Sequence, residues 1–415
     1  MGASLSSESS SESVRGRDLG IPFEGRTGPG GAITDVPGVA VGYRTLIEGE
    51  GRGAARTGVT AILPRGRGGV GVPCAAAVHS FNGNGELTGR SWIDESGSLA
   101  MPIGITSSHA VGAVHAGIEA WVAEIAPDVA AQWMLPVVGE TWDGYLNDIN
   151  GGHVTPRDAW AALESASSDA PAEGNVGGGT GMNCYGFKGG TGTSSRVVSY
   201  GDEEYTVGVL IQANFGSREE LHLAGMSLGA CSTVPNPMGE DDWFARDRGQ
   251  RAPGGAGSAI VIIATDAPFL PGQCAALARR GALGLGRSGT AGSHFSGDIV
   301  LAFSTANEGA LTSAFPDGTD AEYETMRLIP WGRIDPFLTA AVQAVDEAVE
   351  RSRRGTGHDG ARRPQESRAP ARRDPCGGRP DASRSSRRCG TGSRSPRIMT
   401  PWCHDRRTSS RSPQL

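Results

Sequence analysis

The passage that most constrains the chain is residues 250–266, Gln-Arg-Ala-Pro-Gly-Gly-Ala-Gly-Ser-Ala-Ile-Val-Ile-Ile-Ala-Thr-Asp. Its Pro/Gly run, which ends at Gly257, suits neither a helix nor a central strand. Proline lacks an amide proton, and glycine loses the most backbone entropy on ordering. From Ser258 the residues turn apolar and β-branched, the pattern of a buried strand. A loop therefore meets a core strand at a serine. Two readings of that serine stay open on this stretch alone: it closes a loop, or it marks a cut in the backbone. A break between Gly257 and Ser258 would leave a hydroxyl and a free amine on one residue. An α-amine titrates near pH ~7.7–8.0, so it could take the hydroxyl proton near neutrality.

At 415 residues the chain can bury a substantial core, in one large α/β domain or two ordinary ones. Its 64 glycines favour tight turns and close backbone approaches over a helical bundle. Of 38 basic residues only Lys188 is a lysine, which we read as coding bias without bearing on partners. Residues 351–415 carry 17 arginines against 5 acidic side chains, so the formal charge of −7 is a +12 tail on a −19 body. An acidic body of this kind should not grip nucleic acid. Cys74, Cys184, Cys231 and Cys274 are scattered through the body, and Cys376, Cys389 and Cys403 lie in the tail. They form no CxxC pair, so neither a zinc knuckle nor a redox motif is suggested. No segment reads as a signal peptide or reaches membrane length, so a cytoplasmic protein without a membrane partner is expected.

Composition predicts three regions: a Ser/Glu-rich disordered leader over 1–16, a folded domain over 17–350, and an Arg/Ser-rich disordered tail over 351–415. Within the folded domain, strands are expected near 37–45, 58–63, 205–213 and 299–305, besides the one opening at Ser258. Helices are expected over 109–125 and 271–285. A closing helix is led by Asp335-Pro336, with Leu338, Ala341, Val342, Val345 and Val349 on one face. Glycine-rich loops are expected at 81–89, 174–181 and 189–195, and 233–257 reads as an exposed connector suited to being cut.

Several familiar motifs are absent. There is no G-x-x-x-x-G-K-[ST], and the glycines near 177 lack the strand, helix and acid of a dinucleotide fingerprint. His109 and His115 are six apart, off one helix face, and no H-E-x-x-H occurs, so no metal site is expected. No G-x-S-x-G marks a nucleophile elbow. Ser296 and Asp298, two apart at the mouth of a strand, project to one side. Together they either hold an amine or simply cap a turn. Asn214 follows an apolar strand and is either an oxyanion donor or a turn former. Glu140, beside an apolar run, either caps a loop or receives a cationic substrate group.

Six blocks in fixed order carry a resemblance. They are Arg17-Asp-Leu-Gly-Ile-Pro-Phe-Glu-Gly, Ala32-Ile-Thr-Asp-Val-Pro-Gly-Val, Phe81-Asn-Gly-Asn-Gly-Glu, Gly174-Asn-Val-Gly-Gly-Gly-Thr-Gly-Met, Gly257-Ser258 with Ala264-Thr-Asp-Ala-Pro, and Ser296-Gly-Asp-Ile with Ala302-Phe-Ser-Thr-Ala-Asn. Over about 15–350 the chain resembles the self-processing N-terminal-serine hydrolases that include L-aminopeptidase/D-esterase (D-amidase) and the β-peptidyl aminopeptidases. The resemblance implies an α/β fold, an αββα sandwich of the type shared with ornithine acetyltransferase-like proteins. It also implies a precursor that cuts itself after Gly257, with 17–257 belonging to the large chain and 258–350 as the ordered part of the small chain, and with Ser258 as nucleophile and new N-terminus. By the same resemblance Ser296 and Asp298 orient and tune Ser258, Asn214 binds the oxyanion, and Glu140 receives the substrate amine. Where the family has a tyrosine two residues after that glutamate, this chain has Trp142, with Tyr145 nearby; an indole offers only an N–H. The implied activity is that of an aminopeptidase or amidase on short peptides, amino-acid amides or esters, without metal or organic cofactor. The implied assembly is a homo-oligomer, a tetramer. An acyltransferase of the ornithine acetyltransferase-like type and a non-catalytic amine-binding relative are the alternatives.

Overall fold

The computed structural model describes residues 15–239, 242–316, 318 and 322–353; the expected leader up to residue 14 and the tail from residue 354 lie outside the described residues. Among the described residues, ten strands build two larger sheets: β1 Ala40–Glu48, β2 Ala55–Leu63, β3 Cys74–Ser80, β4 Ser98–Leu99, β5 Ile103–Ser107, β6 Val137–Thr141, β7 Gly190–Tyr200, β8 Glu203–Asn214, β9 Gly257–Thr265 and β10 Ser296–Ser304. The first sheet runs β1-β2-β5-β6 and the second β4-β3-β10-β9-β8-β7. Each holds one parallel pair, β5 with β6 and β9 with β10, and the remaining pairs are antiparallel. Parallel neighbours need a crossover. Helix α1 Val111–Ile125 lies between β5 and β6, and α3 Pro271–Arg287 between β9 and β10. Two further helices, α2 Pro156–Glu164 and α4 Asp335–Ser352, complete the outer layers.

Side-chain alternation along β9 shows how the layers are held. Ala259, Val261 and Ile263 join a cluster with Leu277, Leu285, Ala341 and Val345 of α3 and α4. Ile260, Ile262 and Ala264 turn the other way, against Ile62, Ile103, Ile105 and Val137 of the first sheet. A strand covered on both faces needs the continuous apolar run that the sequence supplies. Each isoleucine so buried contributes about 1.5–3 kcal/mol relative to exposure. On the far side of the first sheet, Val114, Ile118 and Trp121 of α1 pack with Ala159 and Leu163 of α2 and with Val59, Ala61 and Val138.

Some expectations needed correction. Of residues 189–195, expected as a glycine loop, all but Gly189 lie in the first half of β7. Gly192 lies under α4, where a Cβ would meet the Ala348 carbonyl at 2.0 Å, so its glycine reflects close approach and not a turn. The closing helix runs on to Ser352, past the expected boundary at 350, because Arg351 is buried and ion-paired with Glu173. Asp335 sits in the first turn of that helix, with Ile334 at the N-cap. The glycine run near 177 is a 3-10 turn, Gly177–Gly181, wedged among strands of both sheets. A Cβ on Gly178 would meet Gln212 Oε1 at 2.2 Å and the Ile105 carbonyl at 2.6 Å. The amides of Gly177 and Gly178 donate to the hydroxyls of Thr45 and Thr60, at 2.8 and 3.1 Å, so they are spent on packing.

Candidate active site

Strand register brings the expected residues to one sheet end. Asn214, the last residue of β8, lies opposite Ser258 in the antiparallel ladder. In the parallel ladder Ser258 faces Gly297, so Ser296 and Asp298 stand to either side of its backbone. The facing sheet contributes the end of β6, with Glu140 in the strand and Trp142 just beyond it. A cleft of about 1200 Å³ opens there, lined among others by Glu140, Trp142, Tyr145, Asn214, Ser258 and Phe244.

Ser258 is 2% exposed, and its side chain shares the face of Ile260 and Ile262, toward the first sheet. Its Oγ accepts a hydrogen bond from the Trp142 backbone N–H at 3.3 Å. Ser296 and Asp298 share the opposite face with Val300 and Ala302, so they flank the Ser258 backbone and not its hydroxyl. The Ser296 hydroxyl donates to Asp298 Oδ1 at 2.7 Å, which bears out their projection to one side. The Asn82 side chain completes the pair: its Nδ2 donates to Asp298 Oδ2 at 2.7 Å, and its Oδ1 accepts the Asp298 N–H at 2.6 Å. Burial pushes the Asp298 carboxyl above its ordinary pKa, against the opposing pull of the bonds from Ser296 and Asn82.

Glu140 is buried beside the cleft. Its Oε1 accepts the Glu86 N–H at 3.1 Å, and its Oε2 accepts the Ser108 hydroxyl. Burial raises its pKa, the bonds from Ser108 and the Glu86 amide pull it down, and the Glu86 charge adds to the rise. Both hydrogen-bond partners are neutral donors, so a bound ammonium would supply the counter-charge that burial demands.

Asn214 reaches Ser258 through another residue. Its Nδ2 donates to the Trp142 carbonyl at 2.8 Å, and its Oδ1 accepts the Asn183 N–H at 2.8 Å. The main chain of Trp142, fixed by Asn214, is what meets the serine. Its indole instead lies edge-on to Phe244, with ring centroids 5.4 Å apart. Tyr145 lines the cleft, but its hydroxyl donates to the Pro237 carbonyl at 2.7 Å. The connector expected over 233–257 is more structured than its composition suggests. It forms a short helix Trp243–Arg248, capped by Asp242, whose Oδ1 accepts the Phe244 N–H at 3.0 Å, and it walls one side of the cleft.

Sequence reasoning gave no role to Asn82, Ser108 or Phe244, nor to the amide of Trp142. Asn82 sits inside one of the quoted blocks, so its signal was available. Ser108 follows directly on β5 and precedes α1, a place where a hydroxyl caps or reaches across. An aromatic residue amid acids and arginines gives no such clue.

A protein-family model described as peptidase family S58 matches residues 31–354. The chain is 48% identical over 356 residues to the beta-peptidyl aminopeptidase BapA of Sphingosinicella microcystinivorans, covering 84% of this chain and 87% of that protein. Among solved structures, a Burkholderia sp. beta-aminopeptidase superposes with a TM-score of 0.73 at 44% identity, over 82% of this chain and 91% of the other. The L-aminopeptidase D-Ala-esterase/amidase of Ochrobactrum anthropi gives 0.74 at 43% identity, over 81% and 90%, and is described as a prototype serine aminopeptidase and a variant of the Ntn hydrolase fold.

Proposed function

The chain belongs to peptidase family S58, and from that premise we propose that it is an aminopeptidase and amidase whose nucleophile, Ser258, becomes an N-terminus when its bond to Gly257 is broken. It is a serine peptidase with an Ntn-hydrolase-like α/β fold. The order of helices, sheet, sheet and helices supports the finer assignment to the αββα sandwich shared with ornithine acetyltransferase-like proteins. The observation that carries the proposal is the geometry around Ser258: a hydroxyl on one face meeting the Trp142 amide, and the Ser296–Asp298 pair on the other face, flanking its backbone.

In the self-cleavage step Ser258 Oγ attacks the Gly257 carbonyl carbon, the C–N bond breaks, and the nitrogen leaves as the Ser258 amine. Water then hydrolyses the resulting ester, leaving a carboxylate on Gly257. In turnover the freed amine takes the Oγ proton as Oγ attacks the substrate carbonyl. The charge that develops on the carbonyl oxygen faces the Trp142 N–H and the remaining N–H of the Asn214 amide. The leaving amine collects the proton, and water releases the acyl group. Ser296 and Asp298 fix the lone pair of the Ser258 amine, and Glu140 anchors the substrate ammonium.

Likeness to a beta-peptidyl aminopeptidase makes peptides that begin with a β-amino residue the first substrates to try, beside amino-acid amides and esters. Hydrolysis is favoured over acyl transfer. No helix among the described residues is long and apolar enough to cross a membrane. A cytoplasmic homo-tetramer, with 17–257 and 258–353 as the folded parts of its two chains, completes the proposal.

On a denaturing gel the wild-type chain should give two bands and Ser258→Ala one, and only the cut protein should hydrolyse alanine amide or a β-alanyl dipeptide. Hydrolysis by wholly uncut protein would overturn the proposal.

A further inference from the structure

We propose that Lys188 is a positioning residue for the oxyanion end of the cleft, acting through Asn214. The inference rests on the oxyanion role proposed above for Asn214.

In a chain whose other basic residues are all arginine, Lys188 closes a short hairpin of Asn183–Cys184 and Phe187–Lys188. Its ammonium donates to three backbone carbonyls, those of Gly189 at 2.7 Å, Met182 at 2.9 Å and Gly179 at 3.3 Å. These oxygens come from the glycine turn and from the residues at the two ends of the hairpin, and they converge on one nitrogen. A compact ammonium with three rotatable donors fits such a convergence. A planar guanidinium, with its donors fixed in a fork and spread over a wider head, does not. Arginine is the chain's default cation, so the lysine stands where three acceptors share one point.

The hairpin held in this way leads to the reacting oxygen. Met182 is followed by Asn183, whose N–H fixes Asn214 Oδ1 at 2.8 Å. Asn214 Nδ2 holds the Trp142 carbonyl, and the Trp142 N–H meets Ser258 Oγ. A second tie, from the Tyr185 N–H to the Phe215 carbonyl at 2.9 Å, pins the hairpin to the residue after Asn214. Lys188 is not among the residues lining the cleft, so its effect passes through these bonds. A larger head at 188 would part the three carbonyls, shift the Asn183 N–H and tilt the Asn214 amide. Asn214 acts on charge that appears only in the transition state, so the loss should fall on kcat and spare KM.

The test compares wild type, Lys188→Arg, Asn214→Ala and the double variant, by kcat and KM for a β-alanyl dipeptide and by melting temperature. Lys188→Arg should lower kcat about tenfold, as expected of a misaligned oxyanion donor, with KM held within about twofold. It should add nothing to Asn214→Ala, because both changes remove the same contribution. A merely structural lysine would instead lower the melting temperature and add its loss to that of Asn214→Ala, and this result overturns the inference. So does a kcat for Lys188→Arg equal to wild type. If Asn214→Ala itself keeps full kcat, the oxyanion reading of Asn214 fails and takes the inference with it. Lys188→Gln, which keeps two donors without the charge, carries the same comparison if the arginine variant does not fold.

Discussion

Glu140, proposed above as the anchor of the substrate ammonium, is buried at a cost to the fold. Burial holds its pKa above the ordinary carboxylate value, so the folded state keeps the proton to higher pH than the unfolded chain. Stability contributed by such a group is present at low pH and is lost as pH rises through the raised value. Glu140→Gln should therefore raise the melting temperature at pH 7, while raising KM for amine-bearing substrates on the order of tenfold through loss of a charge-assisted bond. Parallel melts and steady-state kinetics check both signs. Asp298 is raised for the same first reason, burial. If its carboxylate is the working form, activity should fall on the acid side at a higher pH than an ordinary carboxylate would give. Asp298→Asn should flatten that limb of the pH profile of kcat and slow self-cleavage. At this scale the place of Ser258 at the head of a core strand, and the projection of Ser296 and Asp298 to one side of another, were legible in residue type and alternation. The sequence was silent on the Trp142 N–H, because every residue but proline has one and only the fold decides where it points.

Strand β9 is the element on which both core and site depend, and its two faces can be tested separately from its serine. Ile262→Ala, between the sheets, should cost about 2–5 kcal/mol in urea denaturation while leaving a folded fraction that still cuts itself. Gly178→Ala tests the glycine wedge. With a Cβ forced against Gln212 and the Ile105 carbonyl, overpacking should cost about 1–3 kcal/mol. Equal melting temperatures for wild type and Gly178→Ala would refute the wedge. The long apolar elements were legible because period and burial agree there, as in β8, β9, α3 and α4. β7 was misread because its glycines and small hydroxylic residues mimic a loop. Those residues are small because α4 lies against them, a contact that no local pattern reveals. The connector was misread in the opposite direction: its polar composition hides a short helix whose one aromatic side wall faces the cleft.

Across the whole molecule, the N-terminal segment and the closing helix are joined by buried charge. Arg17 donates to both oxygens of Glu347, at 2.9–3.1 Å, and Arg196 lies 2.8 Å from it. Burial alone would raise the Glu347 pKa, but the Arg17 bonds and the Arg196 charge outweigh it and hold the carboxyl below its usual range. Stability from such a group is present above the ordinary glutamate pKa of ~4.3 and is lost as pH falls through the lowered value. Glu347→Gln leaves Arg196 buried without its partner. It should destabilise the fold at pH 7 by about 3–5 kcal/mol and make stability less dependent on pH in the acid range, as urea melts at stepped pH would show. None of this long-range pairing could be read from spacing, since Arg17 and Glu347 lie at opposite ends of the folded region. The proposed division of the folded region into two chains is a different matter, because the sequence puts it at one dipeptide, Gly257-Ser258. It is also open to a direct measurement, the N-terminal sequence of the smaller fragment in active, purified protein. Ser-Ala-Ile-Val-Ile is expected, beginning at Ser258; any other start, or active protein with no smaller fragment, contradicts the assignment of Ser258 as nucleophile and its own base.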